Sequence, residues 1–98
     1  MAARSFVVLM ANQPRVASAP SGSCAARLGI TVSRRVGGAV VRTRVKRCVR
    51  EWFRRAALPP GKDLVVIARA PAARASTLEA ARELDGAVRE LVRQEEQR

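Results

Sequence analysis

Between Ala39 and Ala56 the apolar residues Val41, Val45, Cys48, Val49, Trp52, Phe53 and Ala56 recur at intervals of three and four, the spacing of one face of an α-helix. At about 100° per residue they fall within an arc of roughly 140°. Arg42, Arg44, Lys46, Arg47, Arg50, Arg54 and Arg55 take the rest of the circumference, with Glu51 as the only acid. The spacing predicts an amphipathic helix with an almost wholly cationic outer face. Its apolar stripe must be covered by whatever the rest of the chain builds.

That remainder reads as three strands and a second helix. Residues 5–11, Ser-Phe-Val-Val-Leu-Met-Ala, form a short apolar run ended by Asn12-Gln13-Pro14, a strand followed by a breaker. Residues 14–26 are rich in Ser, Ala, Pro and Gly and carry no periodicity, so they predict a flexible loop. In Arg27 to Val32, Leu28, Ile30 and Val32 alternate with Gly29 and Thr31, as in a strand with one face buried. Gly37-Gly38 breaks this strand before the cationic helix, and Pro59-Pro60-Gly61 ends the helix. Asp63 to Ala68 is a near-continuous apolar run and predicts a strand buried on both faces. Pro71 to Ala75 connects to Ser76-Thr77-Leu78-Glu79, which fits a capping box with Ser76 as N-cap and Glu79 reaching back. The helix it opens carries a stripe of Leu78, Ala81, Leu84, Val88, Leu91 and Val92, and residues 95–98 form a polar tail expected to fray. The order β-β-α-β-α describes an α/β fold of the α+β two-layer type, a small sheet with two helices. At 98 residues the chain supports one core, so residues 1–98 are expected to form one domain.

The net charge of +11 is unevenly placed. Residues 1–26 carry two bases and no acid; residues 27–55 carry ten bases against Glu51; residues 56–98 carry seven of each. Concentrating the excess in one segment makes a local potential that attracts a polyanion, nucleic acid first and anionic membrane second. No apolar stretch approaches the roughly 18 residues of a membrane span, and no export signal opens the chain, so a cytoplasmic protein without a membrane partner is expected. Histidine is absent and Cys24 and Cys48 stand far apart, which excludes a structural zinc and leaves no metal site. Cys48, on the helical stripe, reads as a small core hydrophobe, and Cys24 as a loop thiol.

Nothing in the chain resembles a protein-borne active site, so no catalytic residue is assigned. Glu79, Glu83, Glu90, Glu95 and Glu96 lie on or beyond the second helix with Arg82, Arg89 and Arg93 as helical neighbours, the pattern of a solvated face. Neither Gly37-Gly38 nor Gly61-Lys62 fits a phosphate-cradling loop. Binding remains. Arginine predominates over lysine in the cationic helix, and its planar fork holds phosphate through two hydrogen bonds or stacks on a base, chemistry suited to structured RNA. A ribosomal or chaperone-type RNA-binding protein without a part in catalysis is the alternative, and a stand-alone nuclease is disfavoured.

The stretch from Arg27 to Arg47, Arg-Leu-Gly-Ile-Thr-Val-Ser-Arg-Arg-Val-Gly-Gly-Ala-Val-Val-Arg-Thr-Arg-Val-Lys-Arg, closely resembles the signature of the bacterial ribonuclease P protein family. Asp63 to Arg69 is similar to that family's buried strand and Phe6-Val7-Val8 to its first strand, so residues 4–94 are covered in order. The resemblance implies a fold like ribosomal protein S5 domain 2, with parallel strands on either side of the central helix joined by a left-handed crossover, against the general right-handed preference. It also implies a protein cofactor of a ribonucleoprotein enzyme. In such an enzyme a catalytic RNA, with RNA-bound Mg2+, hydrolyses the bond that releases the 5′ leader of precursor tRNA. The expected partners are that RNA, one per protein, and precursor tRNA; the protein binds no cofactor of its own. By position, Arg42, Thr43, Arg44, Lys46 and Arg47 are expected to bind the RNA, with Arg34, Arg35 and Arg50 extending the patch, and Phe6 either to meet the leader on the sheet face or to be plain core. Thr43 stands where the family usually has Asn, which removes a paired donor and acceptor. The family's basic N-terminal helix has no counterpart before the first strand. A start codon assigned too late or a shortened form would each account for this, and a shortened form is expected to bind the leader less well.

Overall fold

The computed structural model describes residues 5–13, 26–56, 58 and 60–96. Three strands, β1 (Phe6–Asn12), β2 (Arg27–Val32) and β3 (Lys62–Ala68), and two helices, α1 (Ala39–Arg55) and α2 (Thr77–Glu96), follow in the expected order. A short 3₁₀ helix, Ala70–Arg74, occupies the connector before α2. All but Ala26 of the loop expected over 14–26, and Cys24 with it, lie outside the described residues.

The last strand in sequence is the middle strand in space, in the order β1-β3-β2. β1 runs antiparallel to β3 from Phe6 opposite Ala68 to Asn12 opposite Lys62. β2 runs parallel to β3 from Arg27 opposite Asp63 to Val32 opposite Ala68, so α1 lies in the crossover between two adjacent parallel strands, as a βαβ unit requires. Beyond the ladder, Arg69 N–H donates to the Ser5 carbonyl at 2.8 Å and Gln13 N–H to the Gly61 carbonyl at 2.8 Å.

Both helices pack on one face of the sheet, α1 over β2 and α2 over β1. Between the layers lie Phe6, Val8, Leu64 and Val66 from the strands, Val45, Val49 and Trp52 from α1, and Leu84, Ala87 and Val88 from α2. This one-sided arrangement corrects the expectation for β3. Leu64, Val66 and Ala68 are buried, but Val65 is 37% exposed and Ile67 half-buried, because alternate side chains point to a face that no described element covers. On α2 the stripe is also rotated from the expected one: Ala80 and Ala87 are buried with Leu84 and Val88, whereas Leu78 is 60% exposed. The capping box is present, with Glu79 N–H donating to Ser76 Oγ at 3.1 Å and Ser76 N–H to Glu79 Oε1 at 3.3 Å. Of the tail expected to fray, Glu95 and Glu96 belong to α2 and Glu95 pairs with Lys62 at 2.9 Å, while 97–98 lie outside the described residues.

The entry to α1 depends on Gly37. Its φ of 157° is outside the range favoured by side chains, and a Cβ there would stand 2.9 Å from Val41 Cβ. Gly38 is the N-cap, and Arg42 N–H closes the first helical turn on its carbonyl at 2.9 Å.

Candidate RNA interface

The outer surface of α1 is built by the same periodicity that buries Val45, Val49 and Trp52. Arg44, Arg47, Arg50, Arg54 and Arg55 are exposed and Lys46 is half-buried. The arrangement opposes the helix's own stability. The first turn holds no acid and Arg42 and Arg44 stand close to the positive end of the helix dipole. Arg47, Arg50 and Arg54 follow at spacings of three and four, where like charges repel by about 0.2–0.5 kcal/mol a pair. No ion pair among the described residues involves α1; the three that exist join Arg27 to Asp63, Lys62 to Glu95 and Arg93 to Glu90. A helix that carries repulsion along its outer face, with Glu51 as its one carboxylate and that in no ion pair among the described residues, gains most from an external polyanion.

The residues expected at the interface do not all stand together. Arg34 and Arg35 are exposed in the turn after β2, which closes with Val36 N–H on the Ser33 carbonyl at 3.1 Å. Thr43, Arg44 and Arg47 share one shallow surface with Ala39 and Val40. Arg44 also donates through its guanidinium to the Ala73 carbonyl of the 3₁₀ helix, so it fastens α1 to its neighbour. Arg42 departs from the expected ring of exposed charge. It lies about 60° around the helix from Val45, inside the apolar arc, is half-buried, and its Nε is buried without a hydrogen-bond partner.

Of the two readings of Phe6, leader contact or core, the structure takes the core. Phe6 is 1% exposed and belongs to the core between sheet and helices, because residues 6, 8 and 10 of β1 face the helix layer. The open face is formed by Val7 and Leu9 beside Ile67 and Val65, with Thr31 and Gly29 of β2 continuing it. Leu9 is 49% exposed there, and no aromatic side chain among the described residues lies on it.

Sequence patterning missed Val40, which is 84% exposed beside Thr43 and Arg44. Its signal was present, since it falls outside the apolar arc at i−3 and i−4 from those residues. The acids of α2 are also more than a solvated face. Glu83 accepts from Ser5 N–H at 3.0 Å and Ser5 Oγ at 3.1 Å, and Asp85 accepts from Trp52 Nε1. Among the described residues no three His, Cys, Asp or Glu side chains stand where they could hold a metal ion, and no helix is long and apolar enough to cross a membrane.

The fold is shared with known proteins. The ribonuclease P protein from Staphylococcus aureus superposes with a TM-score of 0.73 at 35% identity over 94% of this chain and 78% of that one. The corresponding protein from Thermotoga maritima superposes with a TM-score of 0.75 at 32% identity, over 92% and 80%. The ribonuclease P protein component of Brevibacillus brevis is 47% identical over 79 residues, 79% of this chain. This chain spans between 49% and 56% of the length of that relative and two others of the same description. Residues 1–92 match the family model for ribonuclease P: the chain belongs to the ribonuclease P protein family.

Proposed function

We propose that this chain is the protein subunit of a cytoplasmic ribonuclease P, binding one catalytic RNA through α1 and the 34–35 turn and helping that RNA to engage precursor tRNA. The unrelieved cationic face of α1, on a chain of this family, carries the proposal. In it the protein neutralises crowded phosphates, and Arg47 and Arg50 offer forks for phosphate or base edges, with the exposed Val40 against a ribose or base. Hydrolysis of the phosphodiester that frees the 5′ leader falls to the RNA and its Mg2+, with no residue of this chain as acid or base. The leader runs over the open sheet face, where Leu9 and Val65 offer aliphatic contact in place of the Phe6 ring.

Purified chain added to precursor tRNA with and without the catalytic RNA tests this. Acceleration of RNA-dependent cleavage at low Mg2+, and no cleavage by the protein alone, is the expected result. Cleavage without the RNA would make the chain a nuclease in its own right, and RNA binding without any effect on cleavage would favour a chaperone-type protein.

A further inference from the structure

A cleft of about 670 Å³ lies off the end of α1, between the turn that carries Arg35 and the 3₁₀ helix Ala70–Arg74. Arg35 lines it from one element and Arg74 from the other, with Pro71 and Ala73 between them. Both arginines are exposed and neither takes part in an ion pair among the described residues, although Glu79 and Glu83 line the same cleft. Both carboxylates keep their charge, but their oxygens are held by neutral donors of the fold and not by the two arginines. Glu79 closes the capping box with Ser76, and Glu83 holds both the N–H and the hydroxyl of Ser5. Two guanidinium forks therefore share a concave, solvent-open site with no carboxylate among the described residues committed to them. The site is also joined to α1, because Arg44 donates to the carbonyl of Ala73 in the cleft wall.

We propose that this cleft is a second RNA-backbone site, in which Arg35 and Arg74 hold a phosphodiester segment that continues past the N-terminal end of α1. The inference rests on the RNA-binding role proposed above and adds Arg74 and the 3₁₀ helix to it. A phosphodiester carries two free oxygens, and each guanidinium lining the cleft can donate to one of them. The same chemistry is offered by the catalytic RNA and by precursor tRNA, so both are tested.

Affinity of the full chain for the catalytic RNA, and of the assembled complex for precursor tRNA, should be measured over a range of salt for Arg74→Gln, Arg35→Gln, the double variant, Arg47→Gln on α1 and Arg89→Gln farther along α2, outside the cleft. Arg74→Gln is expected to weaken one of the two equilibria about tenfold and to reduce its log–log salt slope by about 0.7–0.9. Loss in the first assigns the site to the catalytic RNA and loss in the second to the substrate. The double variant should lose less than the product of the single losses, because both side chains grip one group. If Arg74→Gln behaves like Arg89→Gln while Arg47→Gln still weakens binding, the cleft is not a site and the α1 interface stands. If Arg47→Gln is silent as well, both fall.

Discussion

Trp52 Nε1 donates a hydrogen bond of 2.7 Å to Asp85 Oδ1, tying the apolar stripe of α1 to α2 across 33 residues. Trp52 is 6% exposed, so removing its acceptor leaves a buried indole N–H unsatisfied. Asp85→Ala is expected to destabilise the fold by about 1–3 kcal/mol, whereas Asp85→Asn keeps an acceptor and should recover most of the loss. Urea unfolding followed by the fluorescence of the sole tryptophan measures both. Equal stability of Asp85→Ala and the parent chain would show the bond to be idle.

Gly37 and Gly38 are adjacent but not equivalent. Gly37→Ala forces a Cβ onto Val41 at an unfavourable φ and should cost about 1–3 kcal/mol. Gly38 has open space around its Cβ position and caps α1 without a side-chain hydrogen bond, so Gly38→Ser should be neutral or stabilise by a few tenths of a kcal/mol, since Ser is only slightly the better N-cap. Thermal unfolding of the two variants should move in unequal directions, and a matched loss would contradict the geometry.

The pair of Arg27 and Asp63, at 2.7 Å, couples the edge strand β2 to β3. The hydrogen bond from Arg27 lowers the Asp63 pKa below the ordinary carboxylate value. A depressed carboxylate contributes stability above its unfolded pKa, about 3.9, and that contribution disappears as the pH falls through the lower folded value. The stability curves of Asp63→Asn and the parent should therefore differ near neutrality and converge in acid. In Arg27→Gln, Asp63 should titrate at higher pH by NMR.

Some five phosphate contacts along α1 predict a log–log salt slope of roughly −4 for binding the catalytic RNA. Arg44→Ala should weaken assembly far more than Arg89→Ala, but part of its effect will be structural, since Arg44 also holds Ala73. Arg47→Ala, exposed and without such a tie, isolates the binding contribution. A slope near −1 would show that α1 is not the interface.

Leu9→Glu tests the open sheet face. Leu9 is 49% exposed opposite Val65, so the substitution should be tolerated by the fold and leave binding to the catalytic RNA nearly unchanged. An anion placed on this face should repel a nucleic acid strand and reduce the preference for precursor over mature tRNA. An unchanged preference would move the leader elsewhere.

Features controlled by nearby residues were legible in the chain itself. The Ser76–Glu79 capping box, the α1 stripe and the breaks at Gly37 and Pro60 all depend on neighbours within four positions. That β2 and β3 run parallel was carried only by the family resemblance, and the order β1-β3-β2 not at all, because a parallel neighbour 36 residues away, as Arg27 is to Asp63, leaves no local mark. The same limit hid Glu83 on Ser5, 78 positions apart, which made a structural carboxylate look like a solvated one. β3 was misjudged because an apolar run is compatible with two covered faces or with one covered and one open to a ligand. Phe6 followed the same ambiguity: its place in the chain matched a leader contact, and its parity on β1 put it in the core. On α1 Arg42 was misplaced on the outer face, since its charge outweighed its position inside the apolar arc.

The central place of β3 has a consequence for how the chain acquires its shape. Among the described residues β1 and β2 do not pair with each other, and each has its partner strand in residues 62–68. During synthesis, which proceeds from the N-terminus, the first sixty residues can form no part of the sheet. The arginine-bearing segment then leaves the ribosome ahead of the strand on which its apolar side will rest. Assembly of the layers waits for long-range closure, the slow step in folds rich in distant contacts. A nascent chain stopped just before Lys62 should therefore be digested by protease throughout, and one extended past Glu96 should be protected.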